Sequence, residues 1–121
     1  MTAFSGWYLR AEIVRWVSDD FPGFVECRLT DASERAWSIV EKVPVVTTEH
    51  LQPDRYLQPD SEFPQPVLIA CEIVSRDRDD AGRETARITT STRLGIEATD
   101  GTTSFQVFAT QLTRPTGSHA A

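Results

Sequence analysis

The chain has 121 residues, of which 40% are hydrophobic and 25% charged, and its formal net charge is −6. This size and composition are typical of one globular domain, residues 1–121, with a single core. The negative charge disfavours nucleic acid and anionic lipid as partners, because binding to phosphate groups depends on clustered Lys and Arg. Only a local basic patch would override that total. No apolar run reaches the length of about 18 residues that a membrane span needs, so we expect no membrane segment.

Apolar and polar residues alternate over much of residues 7–30, and this period of two predicts a β-hairpin. The turn is expected at Asp19-Asp20-Phe21, where the two aspartates supply turn chemistry and a solvated tip. A shift of one residue would turn the apolar set outward, so pattern and charge favour a single register. That register predicts four cross-strand pairs: Ala11 with Leu29, Glu12 with Arg28, Ile13 with Cys27, and Trp16 with Phe24.

The third strand is predicted at residues 37–40 and is followed by the charged pair Glu41 and Lys42. Pro44 should end this strand, since proline cannot donate to a strand ladder. Two interpretations of the charged pair stay open. Glu41 and Lys42 would face a small ligand if they lie at the mouth of a barrel, or they form an ordinary ion pair at an exposed strand end.

Residues 47–66 contain four of the seven prolines and a tandem Leu-Gln-Pro-Asp sequence, and no strand or helix of useful length fits them. Loops of this length are uncommon and are usually functional or disordered. We weigh a binding loop that docks through side chains such as Tyr56 against a duplication tolerated in a surface connection. His50 has only scattered carboxylates near it, whereas a metal site needs three or four convergent ligands. We therefore expect no metal and no cofactor.

The second half of the chain repeats the first hairpin. Residues 69–74, Ile-Ala-Cys-Glu-Ile-Val, follow the pattern of residues 9–14, Leu-Arg-Ala-Glu-Ile-Val, sixty positions later, and lead to a turn at residues 79–82. The register of this second hairpin predicts the pairs Ile73 with Ile88 and Ser75 with Ala86. Each half of the chain is therefore expected to form a three-stranded meander.

A last hairpin is predicted at Asp100-Gly101, which would join residues 95–98 to residues 105–108. The chain ends, residues 1–5 and 114–121, are expected to fray. The predicted fold is all-β: a small antiparallel β-barrel or two-sheet β structure of six to seven strands. It consists of two similar three-stranded meanders joined by a long Pro-rich loop, and closure would remove exposed sheet edges.

The outward face of the first hairpin is the predicted binding surface, because aromatic and Arg side chains supply most of the binding energy of protein interfaces. The predicted partner-binding residues are Tyr8, Arg10, Val14, Trp16, Phe24 and Tyr56. The alternative for this face is a cover formed by the long loop or by a second sheet.

These features favour a protein-binding module over an enzyme. One concrete version is an acidic inhibitor or immunity-type protein that masks a basic partner protein, since negative charge would steer their association. The alternative is a small-ligand-binding or enzymatic β-barrel with Glu41 and Lys42 at its mouth, which requires a concave pocket. Cys27 and Cys71 fall on inward strand positions as free thiols, and the N-terminus lacks a signal-peptide pattern, so we expect cytoplasmic residence.

Overall fold

The computed structural model of the chain describes residues 6–46, 59, 62–92 and 94–114. The strands are β1 (Trp7–Ser18), β2 (Phe24–Thr30), β3 (Ala36–Lys42), β4 (Gln65–Arg78), β5 (Glu84–Thr89), β6 (Ser104–Phe108) and β7 (Leu112–Thr113). A short helix, α1 (Val43–Val46), follows β3, and a 3-10 turn, Ala109–Gln111, precedes β7. The predicted roles of Tyr56 and His50, most of the 47–66 loop, and the chain ends apart from Arg114 lie outside the described residues.

All seven strands belong to one antiparallel sheet that curls into a half-barrel. Its strand order is β3-β2-β1-β4-β5-β6, and β7 pairs with the start of β1. β1 to β3 form one meander and β4 to β6 form a second, so the predicted all-β fold with two three-stranded halves is confirmed. β4 begins at Gln65, which shortens the predicted loop by two residues.

The two long strands, β1 and β4, change partner at the repeated Glu-Ile-Val sequence. β1 pairs with β4 through residues 7–13 and with β2 through residues 12–18. β4 pairs with β1 through residues 65–71 and with β5 through residues 72–78. A strand shared in this way forms a corner, which allows a single small sheet to enclose one core. Each copy of the repeated sequence therefore forms a corner of the half-barrel, one in β1 and one in β4.

A β-bulge follows the corner in each long strand. The predicted pairs Glu12–Arg28, Ile13–Cys27 and Ile73–Ile88 are observed, but the register then shifts by one residue at Val14 and at Val74. An extra residue on one strand of a pair causes such a shift and increases the local twist. The predicted pairs beyond the bulges are therefore wrong: Trp16 lies opposite Val25, Ser75 lies opposite Arg87, and Phe24 lies opposite Ser18 after a second shift at Val17. Ala11, on the other side of the corner, pairs with Val67 of β4.

Isolated contacts link the two edges of the sheet. The backbone N–H of Thr99 donates to the carbonyl of Ser38 on β3 at 2.9 Å, and that of Ala32 donates to the carbonyl of Gln106 on β6 at 2.8 Å. The rings of Trp37 and Phe105 meet edge to face, with 5.1 Å between their centroids. These contacts protect part of each edge from pairing with another chain.

Residues 95–98 do not form the predicted strand. β6 pairs with β5, and the segment before it is a loop that buries Ile96 and Ala98 in the core. The Asp100-Gly101 turn is present, because the N–H of Gly101 donates to the carbonyl of Ala98 at 2.8 Å. The prediction was right for the turn and wrong for the strand that leads into it.

The interior of the half-barrel is filled by apolar side chains, whose removal from water is the main driving force for folding. Cys27 and Cys71 are buried free thiols among them, as predicted. The other filling side chains, each at most 2% exposed, include Leu9, Ile13, Val25, Leu29, Ile39, Ile69, Ile88, Phe105 and Val107.

Candidate functional site

The tip of the β1–β2 hairpin presents Phe21 to solvent. Phe21 is 95% exposed, more than any other large hydrophobic residue in the described ranges. Asp19 and Asp20 precede it and are also exposed, so the tip combines an aromatic ring with two carboxylates. Full burial of such a ring would contribute about 1.5–3 kcal/mol, and the fold itself leaves that free energy unused.

Contacts beneath Phe21 brace the tip. The indole N–H of Trp16 donates to the Asp19 carboxylate at 2.8 Å. The backbone N–H of Gly23 donates to the carbonyl of Asp20 at 2.6 Å. The Trp16 ring lies against Gly23, so close that a β-carbon at that position would be 2.8 Å from Cη2 of the ring. Glycine is required there both for this approach and for its φ of +96°.

Trp16 therefore supports the tip and does not belong to an exposed aromatic pair. The bulge at Val14 turns Trp16 to the inner side of the sheet, where it packs against the core near Val43. Phe24 remains on the outer face, half-buried, with Lys42 as its neighbour on β3. The predicted pair of facing aromatic rings is therefore wrong, because the two bulges place Trp16 opposite Val25 and Phe24 opposite Ser18.

The other predicted partner-binding residues lie in different surroundings. Tyr8 is 5% exposed and hence buried. Arg10 is exposed, and its guanidinium donates to the carbonyl of Thr110 at 2.7 Å. Val14 is the half-buried extra residue of the first bulge. The outer face therefore offers Arg10, Val14 and Phe24, and not the whole predicted set.

Glu41 and Lys42 point to opposite sides of β3. Glu41 lies opposite the inward-facing Val25, whereas Lys42 lies opposite the outward-facing Phe24. The Glu41 carboxylate accepts a hydrogen bond from the backbone N–H of Lys42 at 3.1 Å. β3 ends at Lys42, just before Pro44. The two charged side chains thus do not converge on one ligand.

A buried carboxylate, that of Glu26, organises the outer face of the first meander. Glu26 is 9% exposed and accepts hydrogen bonds from Nε of Arg15 at 2.6 Å and from the hydroxyl of Ser38 at 2.8 Å. The hydrogen bond from Ser38 lowers the pKa of Glu26 most, burial opposes it, and Arg15 lowers it further, which leaves the pKa below its ordinary value. Arg28 lies opposite Glu12 as predicted, but within the described residues its ion pair is with Glu26, at 3.8 Å.

The outer face carries both basic and acidic side chains. Four of the twelve Lys and Arg residues project from it, namely Arg10, Arg15, Arg28 and Lys42, together with the carboxylates of Glu12 and Glu26. A surface groove of about 330 Å³ lies at one end of the face, and its lining includes Arg10, Glu12, Arg28, Thr30 and Pro66. The face therefore carries a local excess of only two positive charges on an acidic protein.

A second surface groove, of about 430 Å³, borders the 3-10 turn and is lined in part by Arg83 and Phe108. The Arg83 guanidinium lies 4.5 Å from the centre of the Phe108 ring. Nε of Arg83 also donates to the Asp79 carboxylate at 2.8 Å. The charge of this arginine is therefore already paired within the chain.

Sequence reasoning missed Phe21 and Glu26 for different reasons. The turn prediction assigns Phe21 no role of its own, although an aromatic residue between two aspartates and Pro-Gly has no strand face to occupy. Glu26 alternates with inward residues, so its position resembles that of an ordinary solvated charge. Its burial depends on Ser38, which a third strand contributes.

Among the described residues, no group of three His, Cys, Asp or Glu side chains is arranged to bind a metal ion. No helix in those ranges has both the length and the apolar character of a membrane span. No protein-family model matches the chain, and no curated protein or solved structure is significantly similar to it.

Proposed function

We propose that this chain is a protein-binding module whose main anchor is Phe21. The observation that supports the proposal is the 95% exposure of this ring on a turn braced by Trp16 and Gly23. Aromatic side chains are frequent hot spots of protein interfaces. A rigid tip also loses little conformational entropy on binding, so more of the gain from burying the ring contributes to affinity.

The charge of the tip suggests a basic partner. Asp19 and Asp20 flank the anchor, and the whole chain carries a net charge of −6. Such a charge would steer the tip towards a cationic surface and accelerate association. An acidic module that covers a cationic site acts as an inhibitor or immunity-type protein. Two buried free thiols suit a reducing compartment, so we propose that it acts in the cytoplasm.

A small ligand held inside the half-barrel is the alternative function. The filled interior gives it little support, and so does the orientation of Glu41 and Lys42 towards opposite sides of the sheet. The two grooves described above are open at the surface. A protein surface therefore fits the geometry better than an enclosed substrate.

Site-specific photocrosslinking would identify the partner. A photoreactive p-benzoylphenylalanine in place of Phe21 keeps a large aromatic side chain at the tip. On irradiation in cells of the source organism, it should crosslink to one basic protein. The matched control carries the same side chain in place of Val74, which is 63% exposed on the second hairpin, and should not capture that protein.

The affinity of the purified pair then tests the anchor. Phe21→Ser should weaken binding by about 100-fold, the typical effect of losing one hot-spot side chain. Val74→Ser should leave the dissociation constant unchanged. Equal affinities for Phe21→Ser and the unmodified chain would reject Phe21 as the anchor.

A further inference from the structure

We propose a second binding site in the groove lined by Arg10 and Arg28, and infer that it takes the carboxylate of an Asp or Glu side chain in an extended peptide segment. This site lies on the outer face of the first meander and does not involve Phe21. It therefore goes beyond the function proposed for the tip.

The register places the two guanidinium groups within reach of one ligand. Arg28 lies directly opposite Glu12, and Arg10 lies two residues before Glu12 on the same face of β1. The pairing of β1 with β2 begins at Glu12, and both arginine side chains line the same groove beside that point. The Arg10 guanidinium also donates one hydrogen bond to the carbonyl of Thr110, at 2.7 Å, and among the described residues its other N–H groups stay available to a ligand.

The charges of both arginines remain incompletely neutralised. Within the described residues, Arg10 donates only to a neutral carbonyl, and the contact between Arg28 and Glu26 is 3.8 Å long. Charge-assisted hydrogen bonds are shorter, about 2.7–2.9 Å. Glu12 lies within ion-pair distance of neither arginine in the described ranges. Arg83 in the second groove differs, because the Asp79 carboxylate already pairs with it at 2.8 Å.

The local charge indicates which anion fits. The groove holds two cations and one carboxylate, so one further negative charge balances it, whereas a phosphate backbone would bring many. The net charge of −6 also repels a polyanion. Arginine binds a carboxylate through two parallel hydrogen bonds, which adds geometric selectivity.

The size and floor of the groove indicate a residue and not a free ion. Its volume of about 330 Å³ exceeds what a lone carboxylate fills, and the exposed Pro66 forms an apolar part of its floor beside the arginines. An acidic residue within a peptide would use the charged and the apolar lining of the groove together. Its carboxylate would bind Arg10 and Arg28, and its backbone and neighbouring residues would pack against Pro66.

An NMR titration of the isotopically labelled full chain with N-acetyl-Ala-Asp-Ala-amide tests the site. The Nε–H signals of Arg10 and Arg28 and the amide of Thr30 should shift and reach saturation. The matched peptide with Asn in place of Asp should cause no such shifts. Arg10→Gln and Arg28→Gln should each weaken binding by about tenfold, since each removes a charge-assisted contact. Arg87→Gln, which alters an exposed arginine of the second meander, should bind unchanged.

Three outcomes would overturn the proposal. Equal binding of the Asn peptide, or no shift of Arg10 and Arg28, would reject the carboxylate site. Equal affinity for acetate would reject a peptide segment as the ligand, and tighter binding of inorganic phosphate would reject a carboxylate. The chain with Phe21→Ser should give the same titration as the unmodified chain, so a failure of the tip and a failure of the groove are separate results.

Discussion

Gly23→Ala tests whether the turn beneath Phe21 is braced as described. The substitution adds one methyl group at a buried position whose φ is +96°. That methyl group would lie 2.8 Å from Cη2 and 3.0 Å from Cζ2 of Trp16, and 3.3 Å from Cγ2 of Val43. The ring of Trp16 must therefore move, and its hydrogen bond to Asp19 would be disturbed with it.

Two contributions add up in the expected loss of stability. A left-handed backbone conformation costs an alanine about 1–2 kcal/mol relative to glycine. Forcing a methyl group into a packed site costs about 1–3 kcal/mol more. Gly101→Ala is the matched control, because Gly101 has a φ of +92° and, apart from its own and its chain neighbours' atoms, nothing lies within 4 Å of the position of the added β-carbon. It should lose only the backbone contribution of about 1–2 kcal/mol.

Urea unfolding followed by tryptophan fluorescence measures both variants against the unmodified chain. Gly23→Ala should have a free energy of unfolding about 1–3 kcal/mol lower than Gly101→Ala, which corresponds to a midpoint lower by about 1 M urea. The same free energy of unfolding for both variants would show that the Trp16 ring does not rest on Gly23. The rigid presentation of Phe21 would then lose its structural basis.

Three further predictions concern the carboxylate, the thiols and the bulges. Ser38→Ala should lower the free energy of unfolding by about 1–2 kcal/mol at pH 7. Because the folded-state pKa of Glu26 is lowered, this difference should shrink as the pH falls below about 4.3; a difference independent of pH would contradict it. Cys27 should react with Ellman's reagent only on unfolding, since burial, with Glu41 and then Glu26 adding to it, raises its pKa to about 12. Fast modification of the native protein would contradict this. Deletion of Val74 should leave a cooperatively folding protein, whereas deletion of Ala70 should not, as judged by urea unfolding.

Much of the fold could be predicted from the alternation of apolar and polar residues. The pairs Ile13–Cys27 and Ile73–Ile88 could be predicted because each lies at a corner, before the bulge breaks the alternation. The inward position of Trp16 could not be predicted, because the extra residue of the bulge before it, Val14, would also suit a regular strand. The local signal of Asp100-Gly101 predicts a turn, but the conformation of the residues before it depends on long-range packing, which buries Ile96 and Ala98 in the core within a loop.

Less of the candidate site than of the fold could be predicted from the sequence. Its parts are defined by neighbours from different strands: the outer face needs Ser38 of β3 to bury Glu26, and the groove needs Arg28 of β2 beside Arg10 of β1. The tip is the exception, because Phe21 stands out within a local turn sequence. Residues that act through long-range contacts require the register, and one undetected bulge is enough to assign them to the wrong face.

The deletion of Val74 distinguishes a bulge from an ordinary strand position. Removing one residue from a regular strand turns every later side chain to the opposite face. At a bulge, two residues oppose one, so the loss of Val74 leaves Ile73 opposite Ile88, Ser75 opposite Arg87 and all other side chains on their present faces. Deletion of Ala70, four positions earlier in a stretch without a register shift, would force either Ile69 or Cys71 out of the core. Unfolding of both variants would show that the repeated corner needs its bulge, and folding of both would show that β4 has no fixed register.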